Sequence, residues 1–68
     1  MKYYVKEVRE KRGLTQIELA NMLGVSKSYI CRIESGDKGI SFDFATSIAN
    51  KLDVSLDELA GRELRKFQ

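Results

Sequence analysis

Lys27, Ser28, Cys31, Arg32 and Ser35 place two cations, two hydroxyls and a thiol close together, with no carboxylate among them. Wound as a helix at about 100° per residue, these five fall on one side, and Tyr29, Ile30 and Ile33 fall on the other. Glu34 sits at the border. A helix that shows solvent only donors and small groups suits an acidic, hydrogen-bonding partner. The major groove of double-stranded DNA has that chemistry and is wide enough to admit one helix. Arg32 is suited to a bidentate contact with guanine O6 and N7. Lys27, at the helix start, could reach a base edge or a phosphate, and Ser28 could serve either purpose. Cys31 lies near the middle of the arc. It reads as a small, mildly apolar group that fits against a thymine methyl, or alternatively as a thiol whose oxidation would block docking. The Tyr29 ring should flank the core and leave its hydroxyl to reach a phosphate.

Those side chains need a support that aims them together. Thr15 is a helix N-cap, with Glu18 three residues on to complete a capping box, and Leu14 and Leu19 in the positions of a hydrophobic staple. Ile17, Leu19, Ala20 and Leu23 recur at helical spacing. Gly24 accepts the left-handed conformation that ends a helix. Ser26 caps the next helix, with Val25 and Ile30 as its staple. Two short helices joined through Gly24, Val25 and Ser26 make a tight corner, a helix-turn-helix. Gln16 falls in the first turn of the earlier helix, beside backbone N–H groups that attract anions, which makes it a candidate phosphate contact.

The remaining pattern is helical throughout. A first helix is expected over 3–12, with Tyr4, Val5 and Val8 as its apolar stripe and Gly13 as its stop. Residues 35–40 have turn chemistry. Ser41 caps a fourth helix over 42–52, with Phe42, Ala45, Ile48, Ala49 and Leu52 as its core stripe and Phe44 off to one side. Ser55 caps a short fifth helix over 56–60, with Glu58 completing the box, Val54 and Leu59 as the staple, and Gly61 at its end. The tail 62–68 is charged and carries two apolar residues, Leu64 and Phe67. The expectation is an all-α, compact five-helix fold in one domain over 1–68, with the helix-turn-helix at helices 2 and 3.

Composition narrows the function classes. A chain of 68 residues buries only a modest fraction of its surface, so a second copy would help to stabilise it. Lys and Arg number 12 against 10 Asp and Glu, a net charge of +2 that settles nothing alone; placement matters more. Lys2, Lys6, Arg9, Lys11 and Arg12 crowd the start, while Asp53, Asp57, Glu58 and Glu63 come late. One cysteine permits neither an internal disulfide nor a cysteine-rich metal site, and fits a reducing cytoplasm. There is no histidine, which removes the commonest general base and metal ligand. With no paired catalytic carboxylates and no glycine-rich phosphate loop, an enzyme is not expected, nor is a cofactor, a metal or a small-molecule ligand. No apolar run approaches membrane-spanning length, and charge resumes too early for a secretory signal.

Thr15-Gln16, Leu19-Ala20, Gly24-Val25-Ser26, Ile30, Ile33-Glu34-Ser35-Gly36, Ser41, Ile48-Ala49, Leu52 and the run from Val54 to Leu59 together resemble the phage-repressor-like helix-turn-helix family of the Cro/cI or Xre type. The resemblance covers nearly the whole chain. It implies a small transcriptional regulator of prokaryotic, phage or mobile-element origin, acting by occupancy as a repressor that blocks polymerase or, less often, as a regulator that assists it. Its form would be a homodimer on a palindromic operator. It implies base reading by Lys27, Ser28 and Arg32, and a phosphate contact by Gln16. It also implies that the loop after the third helix lies along the backbone, with Ser35, Lys38 and Gly39 as phosphate contacts. Asp37 departs from the family, whose members often carry a cation or neutral residue there. Arg9 would pair with Glu34 between the first and third helices; the other reading of Arg9 is a solvated charge. Dimer contacts would fall on Leu56, Leu59, Leu64 and Phe67, against the alternative that Leu59 is core and the tail is frayed. The rival class is a protein-interaction module, an antitoxin half or helical adaptor with weak DNA contact.

Overall fold

The computed structural model describes residues 3–61. They form five helices in the order α1 (Val5–Lys11), α2 (Gln16–Leu23), α3 (Lys27–Ser35), α4 (Phe42–Leu52) and α5 (Leu56–Leu59), with no strand among the described residues. Local chemistry sets most of the boundaries. Thr15 Oγ1 accepts from the Glu18 N–H at 3.1 Å and the Glu18 carboxylate accepts from the Thr15 N–H at 2.8 Å, a complete capping box. Ser26, Ser41 and Ser55 each accept from the backbone N–H three residues on. Each cap satisfies a donor that the first turn leaves orphaned.

The exits are equally specific. Gly24 turns left-handed at φ 71°, and the Val25 N–H then reaches back to the Ala20 carbonyl at 3.0 Å. The same backward bond ties Val54 to Ala49, across Asp53, the one described non-glycine residue with positive φ. Aspartate tolerates that conformation better than most side chains. The Asp53 carbonyl accepts from Arg12 Nη2 at 2.8 Å, joining the end of α1 to the corner between α4 and α5.

Val5 and Val8 of α1, Leu19 and Ala20 of α2, Ile30 and Ile33 of α3, Ala45, Ile48, Ala49 and Leu52 of α4, and Leu59 of α5 form the buried core. Leu14, Val25 and Val54, the outer halves of the three staples, pack against it half-buried. α2 packs on α3 and α4, α1 on α3 and α4, and α5 on α4.

Four expectations change. α1 starts at Val5 rather than 3, because the Tyr4 N–H donates to the Leu59 carbonyl at 2.8 Å and draws the chain start toward α5. Phe42 is 65% exposed and is not part of the α4 core stripe; Phe44 turns inward to meet Tyr29. Ile17 is 54% exposed, so only Leu19 and Ala20, with Leu23 half-buried, face the core from α2. α5 ends at Leu59, and Leu59 is 0% exposed, so its side chain has no surface to offer a second chain; Leu56 is half-buried, and Leu64 and Phe67 lie outside the described residues.

Candidate nucleic-acid interface

α3 presents one continuous polar surface. Lys27, Ser28, Cys31, Arg32 and Ser35 are all exposed, whereas Ile30 and Ile33 are buried on the opposite side. The corner at Gly24 and the cap at Ser26 set this orientation. The Ser26 hydroxyl accepts from the Tyr29 N–H at 3.1 Å, which fixes the first turn from which Lys27 and Ser28 project.

The far end of α3 is held by its own carbonyls. Arg32 O accepts from Ser35 Oγ at 3.1 Å and from the Lys38 N–H at 3.3 Å, and Gly36 reverses the chain at φ 88°. The Asp37 N–H lies 3.5 Å from Ser35 Oγ. This folds the loop back along the helix and brings Lys38 Nζ to 5.5 Å from the centre of the Tyr29 ring. Tyr29 also meets Phe44 edge to face, with centroids 5.5 Å apart and an interplanar angle of 72°. The ring is therefore fixed between a core aromatic and a surface cation. Ser26, Ser28, Tyr29, Arg32 and Lys38 line a shallow recess of about 280 Å³ beside the exposed face.

On the opposite flank, Lys6, Gln16, Cys31, Glu34 and Ser35 line a second recess of about 180 Å³. Lys6 is a residue that the spacing of charges did not single out. Only its place in a basic first segment hinted at it, and the packing of α1 on α3 brings it here. Gly39 lines a separate recess with Tyr3, Ser35, Lys38 and Ile40, at the end of α3.

Beneath the surface lies a buried ionic cluster. Arg9 Nε donates to Glu34 Oε2 at 2.7 Å, Nη2 donates to Oε1 at 3.1 Å, and Nη1 donates to the Leu14 carbonyl at 2.6 Å. The two side chains are 8% and 4% exposed. These bonds to Glu34 raise the Arg9 pKa above its ordinary high value, against the opposing effect of burial, so the guanidinium stays charged. Gln16 joins them: its Nε2 donates to Glu34 Oε1 at 3.0 Å. Its spacing gave no sign of this second engagement. One carboxylate thus ties α1, the start of α2 and the end of α3, and no buried side-chain nitrogen or oxygen among the described residues lacks a partner.

Among the described residues, no group of three or more His, Cys, Asp or Glu side chains could hold a metal ion, and no helix is long and apolar enough to cross a membrane.

The HTH_3 family model, described as helix-turn-helix, matches residues 5–59. The chain is 30% identical over 59 residues to the antitoxin PezA of Streptococcus pneumoniae, covering 87% of this chain and 37% of that protein. It is 30% identical over 59 residues to an immunity repressor of Bacillus phage phi105, covering 87% of this chain and 41% of that one. The chain therefore spans well under half the length of these relatives. Its backbone resembles that of SinR, a master regulator for biofilm formation, in a crystal structure with DNA, at a TM-score of 0.73 and 35% identity. That match covers 82% of this chain and 90% of the other.

Proposed function

Because this chain belongs to the helix-turn-helix family, we propose that it binds double-stranded DNA sequence-specifically as a small transcriptional regulator in the cytoplasm. The observation that carries the reading is the single exposed face of α3, on which Lys27, Ser28, Cys31 and Arg32 stand side by side with no carboxylate. Arg32, Lys27 and Ser28 read base edges, and Cys31 sits against the groove floor. Gln16, Tyr29, Ser35, Lys38 and Gly39 contact phosphates. Gln16 can do so while bonded to Glu34, since an amide nitrogen carries two hydrogens. Phosphate contacts then set the register and base contacts set the sequence.

One reading head of nine residues makes few contacts. Two heads about 34 Å apart on a palindromic site double them. The proposal is therefore a homodimer that represses by occupancy rather than by catalysis, with Leu56 and the flanks of α5 at the subunit contact. The SinR structure with DNA supports the DNA contact, and the phage immunity repressor supports repression.

Selection of bound sequences from a random duplex pool, followed by titration of the enriched site, tests it. An enriched inverted repeat is expected. A pool that stays random after selection would sink the proposal. The relation to PezA favours a second reading, an antitoxin-like module that binds a partner protein. Native mass measurement of the complex recovered from its own cells distinguishes the two.

A further inference from the structure

Two recesses border the exposed face of α3, one along each edge. At about 100° per residue, Tyr29 and Glu34 mark the two edges of the arc that holds Lys27, Ser28, Cys31, Arg32 and Ser35. Lys38 lines the recess at the Tyr29 edge; Lys6 and Gln16 line the recess at the Glu34 edge. We propose that Lys6 binds a DNA phosphate, which carries the interface onto α1, and that this phosphate lies on the strand opposite the one gripped by Lys38. The proposal rests on the DNA reading above and adds to it a residue and a strand.

Charge is the first argument. Glu34 is the acid of this recess, and its carboxylate faces inward to Arg9 at 2.7 and 3.1 Å, so the two charges cancel. Gln16 is neutral, which leaves Lys6 to make the recess positive. Lys6 is exposed, and no carboxylate among the described residues forms an ion pair with it. Glu10, one turn further along α1, lies 4.0 Å from Arg9 Nη2 instead.

Reach is the second. Arg9 is 8% exposed, and its Nε, Nη1 and Nη2 are all turned to Glu34 or to the Leu14 carbonyl. Lys6 has a compact charge on a flexible stem with three donors, which suits a phosphate met at the rim. Gln16 Nε2 holds Glu34 with one hydrogen and has a second for the same phosphate.

Geometry is the third. The major groove is about 12 Å wide and is walled by the phosphates of both strands. A helix lying in it with its exposed arc on the base edges turns each border toward a different wall. Lys38 and Lys6, on opposite borders, therefore meet different strands.

The selected duplex tests this when single methylphosphonates, each removing one backbone charge, are scanned along both strands. The parent protein should lose about tenfold in affinity at each contacted phosphate, the size of one hydrogen bond to a charged group. Lys6→Ala should become indifferent to one of these positions in each half-site, and Lys38→Ala to another on the opposite strand. Both should keep the preferred sequence. Lys6→Gln should behave as Lys6→Ala, and Lys6→Arg should retain the sensitivity. Lys6→Ala should melt with the parent, because the side chain is exposed. Silenced positions on one and the same strand would overturn the strand assignment. A Lys6→Ala profile identical to the parent's would overturn the role of Lys6 and leave the DNA reading standing. A parent indifferent to every methylphosphonate would remove the DNA reading and this proposal together.

Discussion

Arg32 and Glu34 are neighbours in sequence with opposite duties, and substitution should separate them. Arg32 is exposed and its side chain projects from the outer face of α3. Arg32→Ala should leave folding intact, weaken the selected DNA site by about 1–3 kcal/mol and relax the choice at one base pair. Equal weakening of every sequence would make Arg32 a phosphate contact instead. Glu34 is the counter-charge of Arg9, with both side chains nearly excluded from water. Removing one member of such a pair costs about 3–5 kcal/mol, because the other is left charged and uncompensated. A chain of this length has roughly 3–10 kcal/mol in total, so Glu34→Ala should remove about a third or more of its stability. The double variant Arg9→Met, Glu34→Leu should recover much of that loss, since two well-packed apolar groups replace a desolvated pair. Urea unfolding of both variants gives the comparison; a double variant no more stable than Glu34→Ala would refute it. Whereas the family resemblance pointed to Arg9 and Glu34, the hydrogen bond from Gln16 was not legible, because contact across 18 positions is set by how α2 meets α3.

Helix ends carry the predictions at the next scale. The Glu18 carboxylate accepts from the Thr15 backbone, and that bond, with the one from its side chain, lowers the Glu18 pKa below its ordinary value of 4.5. A group with a lowered pKa in the folded state stabilises it above the ordinary value, and the contribution is lost as pH falls through the folded value. Glu18→Gln should therefore flatten the loss of stability below about pH 4.5, read as a melting temperature less sensitive to acid. A slope identical to that of the parent would show that the box contributes nothing to acid sensitivity. Gly24 and Gly61 share a left-handed φ but differ in surroundings. A Cβ at Gly24 meets nothing, so Gly24→Ala should cost only the conformational penalty of about 1–2 kcal/mol. A Cβ at Gly61 also strikes the Tyr4 ring, so Gly61→Ala should lower the melting temperature further. These caps and stops were legible in sequence because they act over a few residues. Phe42 was not. On α4 it and Phe44 each lie roughly 70–90° from the centre of the buried stripe, so angle cannot rank them. Tyr29, brought in from α3, receives Phe44 and leaves Phe42 in solvent. Periodicity reports which faces are apolar, and the neighbouring helix decides how far a border residue is covered.

At the scale of the whole molecule, the net charge of +2 is too small to explain strong attraction to DNA, so any salt dependence must come from where the cations stand. Lys6, Lys27, Arg32 and Lys38 flank or cover one face of α3. With Lys6 and Lys38 on phosphates in each subunit, a dimer displaces about four counterions, and log affinity should fall with log salt at a slope of about −4. A monomer bound to one half-site should show about half that slope. The slope therefore tests the dimer as well as the interface, and the two can be told apart. Lys38→Ala should reduce the steepness by about one per bound subunit, hence by about two for a dimer, while leaving the preferred sequence unchanged. Fluorescence anisotropy on the selected duplex between 50 and 200 mM salt gives both numbers. A flat response would remove the DNA reading altogether. A slope near −2 with Lys38→Ala removing one unit would keep the interface and overturn the two-fold assembly.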